Sequence, residues 1–166
     1  MQYNPQIEAD FDKADELLND KRIQEGKEIL LSIIEREPAY GKAHNHLGWV
    51  YERHENDYEN AEKEYKLAMQ YSPEYGAGYI NYAYLLSAQK RFDELEKQLQ
   101  LCETIPDVSR PNLAKEWAYL YEDTMRFDQS IAKYKEWALS QFDSEMLDKI
   151  NEDIKRCRLK KQIQDA

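Results

Sequence analysis

The sequence predicts an all-α fold, a solenoid built of antiparallel helix pairs. Three observations lead there. Bulky, small and aromatic residues recur in register about every 35 positions, and periods of that length signal stacked repeats. Within each block, apolar residues fall three and four apart, the spacing of one helix face. Breaker-rich segments close the blocks: EREPAYG at 35–41, YSPEYG at 71–76 and IPDVSRP at 105–111. Five Gly and five Pro in 166 residues leave little material for the turns of an all-β fold.

The repeat shows in four columns. Trp49 is followed 35 residues on by Tyr84 and then Tyr119. The same step carries Leu47 to Tyr82 and Trp117, Gly48 to Ala83 and Ala118, and Tyr51 to Leu86 and Tyr121. A step of 34 backwards takes Gly48 to Ala14 and Tyr51 to Leu17. Later in each block a small or modest residue recurs at Gly26, Ala61, Leu95 and Ser130. Bulky residues follow at Leu30, Tyr65, Leu99 and Tyr134, then Ile33, Ala68, Cys102 and Trp137.

Each block therefore reads as two helices and a polar turn. The first block, residues 7–40, places helices near 7–20 and 24–37. Gly26 falls inside the second, where it costs about 1 kcal/mol against Ala. Its place in the small-residue column explains it by close helix approach. The second block, 41–75, places helices near 41–54 and 58–71, with one extra residue expected in the turn RHENDYEN. The third, 76–110, begins its first helix slightly early, near 75–89, and continues at 92–105, with its extra residue in IPDVSRP. The fourth, 111–142, gives helices near 110–124 and 127–140. A last segment, 143–163, carries Met146 or Leu147, Ile150, Ile154 and Cys157 on one face. Asp143 or Ser144 caps its start, and it covers the open apolar face that ends a solenoid. The expectation is a single array spanning 1–166.

The second block closely resembles the tetratricopeptide repeat (TPR). The family's marked positions are held by His44, Leu47, Gly48, Tyr51, Ala61, Tyr65, Ala68 and Pro73. It departs at His44, where the family often has Trp, and at the inserted residue. The other blocks match less fully, notably at Leu95, Ser130 and Trp137. Four repeats and a cap extend the resemblance from about Ile7 to Ile163. It implies a right-handed superhelix whose first helices line a concave face where partner segments lie. Leu47, Gly48 and Tyr51 would then face the core. Trp49, Tyr84 and Tyr119 would line the groove as an aromatic ladder. Phe11, Asn45, Ile80 and Lys115 would sit one turn earlier on that face, with Glu52, Arg53, Ser87 and Asp123 near its lower rim. The candidate peptide groove is thus Phe11, Asn45, Trp49, Arg53, Ile80, Tyr84, Lys115 and Tyr119. The competing reading is that the aromatics only fill space between repeats.

The family's carboxylate clamp for chaperone tails is missing. The corresponding places hold Phe11 and Asp15, then His46, then Ala77 and Asn81, and Asp15 repels a carboxylate. A mixed apolar and aromatic segment with some basic character fits better.

Other chemistry finds little support. The stretch AHNHLGWVY at 43–51 suggests a metal nuclease by its letters. However, His44 and His46 are about 200° apart around a helix, no H-E-x-x-H is present, and the strands of that nuclease motif are not expected. Both histidines read as surface or groove polar residues, with no metal and no cofactor. No catalytic loop motif is evident, so no enzymatic activity is expected. The net charge of −10 opposes nucleic-acid binding. The basic run KRCRLKK at 155–161 complements a helix C-terminus, with a contact for an acidic partner, or for nucleic acid, as the alternatives. Cys102 and Cys157 read as free thiols. No apolar run reaches a membrane-spanning length, and the acidic start is unlike a signal peptide, so the cytoplasm is the expected location.

The functional expectation is a non-enzymatic interaction module, an adaptor or co-chaperone that is a monomer or weak homodimer. The alternatives are a self-associating scaffold and a secretion-type chaperone.

Overall fold

The computed structural model describes residues 4–166, which contain nine α-helices and, among those described, no strand. The helices are α1 (Pro5–Asn19), α2 (Ile23–Arg36), α3 (Gly41–Val50), α4 (Tyr58–Tyr71), α5 (Gly76–Ala88), α6 (Phe92–Thr104), α7 (Arg110–Asp123), α8 (Phe127–Ala138) and α9 (Ser144–Gln164). They form two compact units, one ending at Leu85 and one starting at Leu86. Starts are set by side chains that accept orphan backbone N–H groups. Asn4 accepts from Gln6, Asp57 from Asn60, and Asp143 from Glu145 and Met146. None of the described helices is long and apolar enough to cross a membrane.

One non-glycine residue with positive φ stands in each helix-pair turn: Lys21 (62°), Asn56 (54°), Lys90 (56°) and Met125 (57°). Each lets the next amide reach back to a last-turn carbonyl. Arg22 donates to Leu17 (2.8 Å), Arg91 to Leu86 (3.0 Å) and Arg126 to Tyr121 (2.7 Å). In the second pair Asp57 donates to Tyr51 (2.9 Å), one residue further. The extra residue expected in a loop is instead absorbed by a π-helical turn, Tyr51–Glu55, that continues α3. A π-turn takes up one inserted residue while the flanking helix stays in phase.

In the first unit, Ile7, Ala14, Leu30, Ile33, Ala43 and Leu47 belong to one buried cluster. Its glycines mark close approaches. A Cβ on Gly26 would lie 2.8 Å from Leu18 Cδ2, and one on Gly48 would lie 2.8 Å from Tyr65 Cδ1. The column Leu30, Tyr65, Leu99 and Tyr134 is fully buried, and its chemistry tracks a second column: Leu18, Glu52, Ser87 and Glu122. Where the bulky residue is Tyr, the partner is Glu. Tyr65 donates to Glu52 at 2.7 Å, and Tyr134 to Glu122 at 2.8 Å. A buried phenol needs such an acceptor, since an orphaned one costs about 1–3 kcal/mol. Glu52, expected near a rim, is therefore buried. Burial and then the Glu52 charge push the Tyr65 phenol well above its ordinary range.

In the second unit, Ala114, Ala118, Tyr134, Trp137, Ile150 and Ile154 share a core. Ser130 stands in the small column with its hydroxyl satisfied, donating to the Ala118 carbonyl at 2.9 Å. The basic run is part of the architecture here. Arg156 grips Glu122 with two bonds of 2.7 Å, Lys160 adds a third at 2.7 Å, and Lys161 reaches Asp128 at 2.7 Å. Burial pushes the Glu122 carboxyl up, but Arg156, Lys160 and Tyr134 together outweigh it and hold it at about 2. Cys102 and Cys157 are free and buried. Burial raises the Cys102 thiol to about 12.

Candidate functional site

A cleft of about 410 Å³ opens in the first unit. α1 contributes Asp15, Leu18 and Asn19, and α3 contributes Asn45, His46 and Trp49. Tyr75, Ala77 and Asn81 come from the start of α5 and the residue before it. The helical register of α3 puts Asn45 and Trp49, four residues apart, on the same side.

Polar contacts tie the three first helices together across this cleft. Asn81 Nδ2 donates to Asn45 Oδ1 at 3.0 Å. Asp15 accepts from His46 Nε2 at 3.1 Å and from Asn19 Nδ2 at 3.2 Å. The other His46 nitrogen meets the Lys42 carbonyl at 3.0 Å. Both ring nitrogens thus have protein partners. Asn45 is only 3% exposed. Among the described residues, Trp117 Nε1 alone is a fully buried side-chain polar atom with no partner. Asn45 Nδ2, which has no acceptor within the protein, therefore reaches the cleft opening.

The eight expected groove residues have different fates. Trp49 is half-buried, lines the cleft and meets the His54 ring edge-on at 4.8 Å. Asn45 lines its floor. Tyr84 is half-buried, whereas Arg53 is exposed and pairs with Glu52 at 3.1 Å. Phe11 and Ile80, expected on the open face, are buried instead. Phe11 packs edge-on against Tyr40 (5.5 Å) and His46 (4.8 Å), within the apolar cluster. In the second unit, Tyr119 is half-buried and packs edge-on against Tyr134 (6.0 Å) and Trp137 (6.3 Å). Lys115 lies 5.7 Å above the Tyr119 ring and 5.9 Å above that of Trp137, within cation–π range. Packing is therefore at least part of what Tyr119 does.

Of the other lining residues, Asp15, His46, Ala77 and Asn81 stand at the places that the absent clamp would occupy, whereas Leu18, Asn19 and Tyr75 were not expected in the groove. A second signal pointed to Asp15. The Trp49 column, carried 34 residues back, reaches it.

The histidines of AHNHLGWVY serve architecture. His44 is buried, contrary to a surface or groove position. Its Nδ1 lies 2.6 Å from Glu64 of α4, and its Nε2 lies 2.9 Å from the Pro38 carbonyl. Glu64 and the Pro38 carbonyl thus give the buried ring polar neighbours on both sides. His44 and His46 thus bind different helices, and among the described residues no group of three or more His, Cys, Asp or Glu could hold a metal.

No protein-family model matches the chain, and no curated protein matches it. Solved structures do. A thermophilic TPR protein from Thermus thermophilus superposes with a TM-score of 0.72 at 21% identity, over 91% of this chain and 83% of that one. PilF of Pseudomonas aeruginosa gives 0.79 at 18% identity, over 94% and 69%. PilW, a type IV pilus biogenesis factor, gives 0.77 at 14% identity, over 96% and 78%. At these identities the likeness concerns the fold.

Proposed function

The chain has the fold of the tetratricopeptide-repeat solenoids, and from that premise we propose that it is a protein-interaction adaptor that holds an extended peptide segment in the first-unit cleft. The observation that carries this is the lining itself: carboxamides at Asn19, Asn45 and Asn81 beside the Trp49 indole. Carboxamides pair with a peptide's backbone N–H and C=O groups. An indole buries large area at low entropy cost. Because the cleft is preformed, the peptide supplies most of the ordering cost. Anchors of about 1–2 kcal/mol each, added to hydrogen bonds along the peptide backbone, are expected to reach micromolar affinity, about −8 kcal/mol in total. The role proposed is binding, which a lining of carboxamides, an indole and one carboxylate suits.

The experiment is a synthetic peptide array probed with the wild type, Trp49→Ala and Asn81→Ala, each checked for unchanged helicity and melting. The proposal expects a set of peptides bound by the wild type and lost by both variants. An identical set bound by all three would refute it.

A further inference from the structure

Resting on that reading, we infer that the first-unit cleft selects a peptide bearing a cationic side chain, a lysine or arginine seated against Asp15. The charge of the lining argues for it. Among its nine residues Asp15 is the one carboxylate, and there is no Lys or Arg. The Asp15 side chain remains 48% exposed despite its contacts to His46 and Asn19. It therefore retains surface for a further donor, and a carboxylate can accept about four bonds. Trp49 lines the same cleft, and a guanidinium or ammonium is drawn to an indole face. The Asn45–Asn81 pair supplies the backbone component. Asn45 Nδ2 is left to donate to a peptide carbonyl, and Asn81 Oδ1 is left to accept from a peptide N–H. Together these groups define an extended segment with one basic side chain. An acidic segment would bring a like charge to Asp15 and leave its own carboxylate without a cation on the lining.

The test uses three fluorescein-labelled heptapeptides of sequence Gly-Ser-Leu-X-Leu-Ser-Gly, with X as arginine, its neutral isostere citrulline, or glutamate. Anisotropy titrations are run on the whole chain as wild type, Asp15→Asn and Trp49→Ala. The expected result is wild-type binding of the arginine peptide at least tenfold tighter than citrulline, with glutamate weakest. Asp15→Asn should bring arginine and citrulline within twofold, and Trp49→Ala should weaken both. Equal arginine and citrulline binding that is still lost in Trp49→Ala would overturn the charge inference while sparing the groove. An arginine preference that survives in Asp15→Asn would also overturn it. Absence of binding by any peptide would overturn both.

Discussion

Replacing Glu122 with Gln tests how the last helix is held. Glu122 lies on α7 with its side chain 6% exposed, and it receives Arg156 twice, Lys160 once and the Tyr134 hydroxyl. Breaking a buried ion pair costs about 3–5 kcal/mol when the orphaned partner stays buried. Here Arg156 and Lys160 are 46% and 48% exposed, so both rehydrate when released. Exposed pairs alone contribute about 0–1 kcal/mol. The geometry lies between, and about 2 kcal/mol is expected for Glu122→Gln. At about 2–4 °C per kcal/mol for a chain of this size, the melting midpoint falls by roughly 4–8 °C. The pH dependence follows from the same network. The folded carboxyl sits at about 2, below the 4.5 of a free glutamate, so the unfolded chain binds the proton first as pH falls. The contribution is complete above about 4.5 and fades as pH drops towards 2. Urea unfolding monitored by circular dichroism, from pH 7 to pH 2.5, should show the wild type losing its advantage over Glu122→Gln across that window. Equal midpoints at pH 7, or a gap that does not narrow on acidification, would refute the reasoning.

Three further outcomes follow from the turns and core. Lys90→Gly should stabilise the chain by about 0.5–1 kcal/mol in urea unfolding, because a positive φ of 56° strains a residue with a Cβ. Gly26→Ala and Gly48→Ala should diverge in the same assay. The new methyl at 26 meets Leu18 Cδ2 and Cγ and, at 3.2 Å, the Ala14 carbonyl; an aliphatic chain yields more readily than a ring, and helix propensity offsets part of the strain, so the loss is about 1 kcal/mol. At 48 it meets the fully buried Tyr65 ring, which is tied to Glu52, and costs about 1–3 kcal/mol. Tyr65→Phe should cost about 1–3 kcal/mol in thermal melting by leaving Glu52 without its phenol donor, and Tyr65→Phe combined with Glu52→Leu should recover part of that loss.

The helix pairs were legible because burial imposes a period. Residues that must face a neighbouring helix recur at three and four, and repeats that must stack recur at about 35. The cap was legible for the same reason, through Ile150, Ile154 and Cys157 on one face. The π-helical turn was not, since an inserted residue costs little in either a loop or a helix and no side chain marks the choice. Buried polar residues were hidden for another reason. His44 is in the core because Glu64, twenty residues away on another helix, pairs with it, and Glu52 because Tyr65 donates to it. Such pairs show in no single periodic stripe, although the matched Glu–Tyr alternation in two columns was there to be read. At the site, the aromatic column led to Trp49. The pairings were not legible because they join one helix to the next: Asn45 with Asn81, and Asp15 with His46.

The place where a peptide binds can be observed directly. A heptapeptide selected on the array, titrated into nitrogen-15-labelled protein, reports this through the side-chain amide signals of Asn45 and Asn81 and the indole signal of Trp49. These three signals are expected to shift together and to saturate at micromolar peptide. Shifts confined to other surfaces, such as the exposed Leu139 and Phe142 between α8 and α9, with the Asn45, Asn81 and Trp49 signals unmoved, would contradict it.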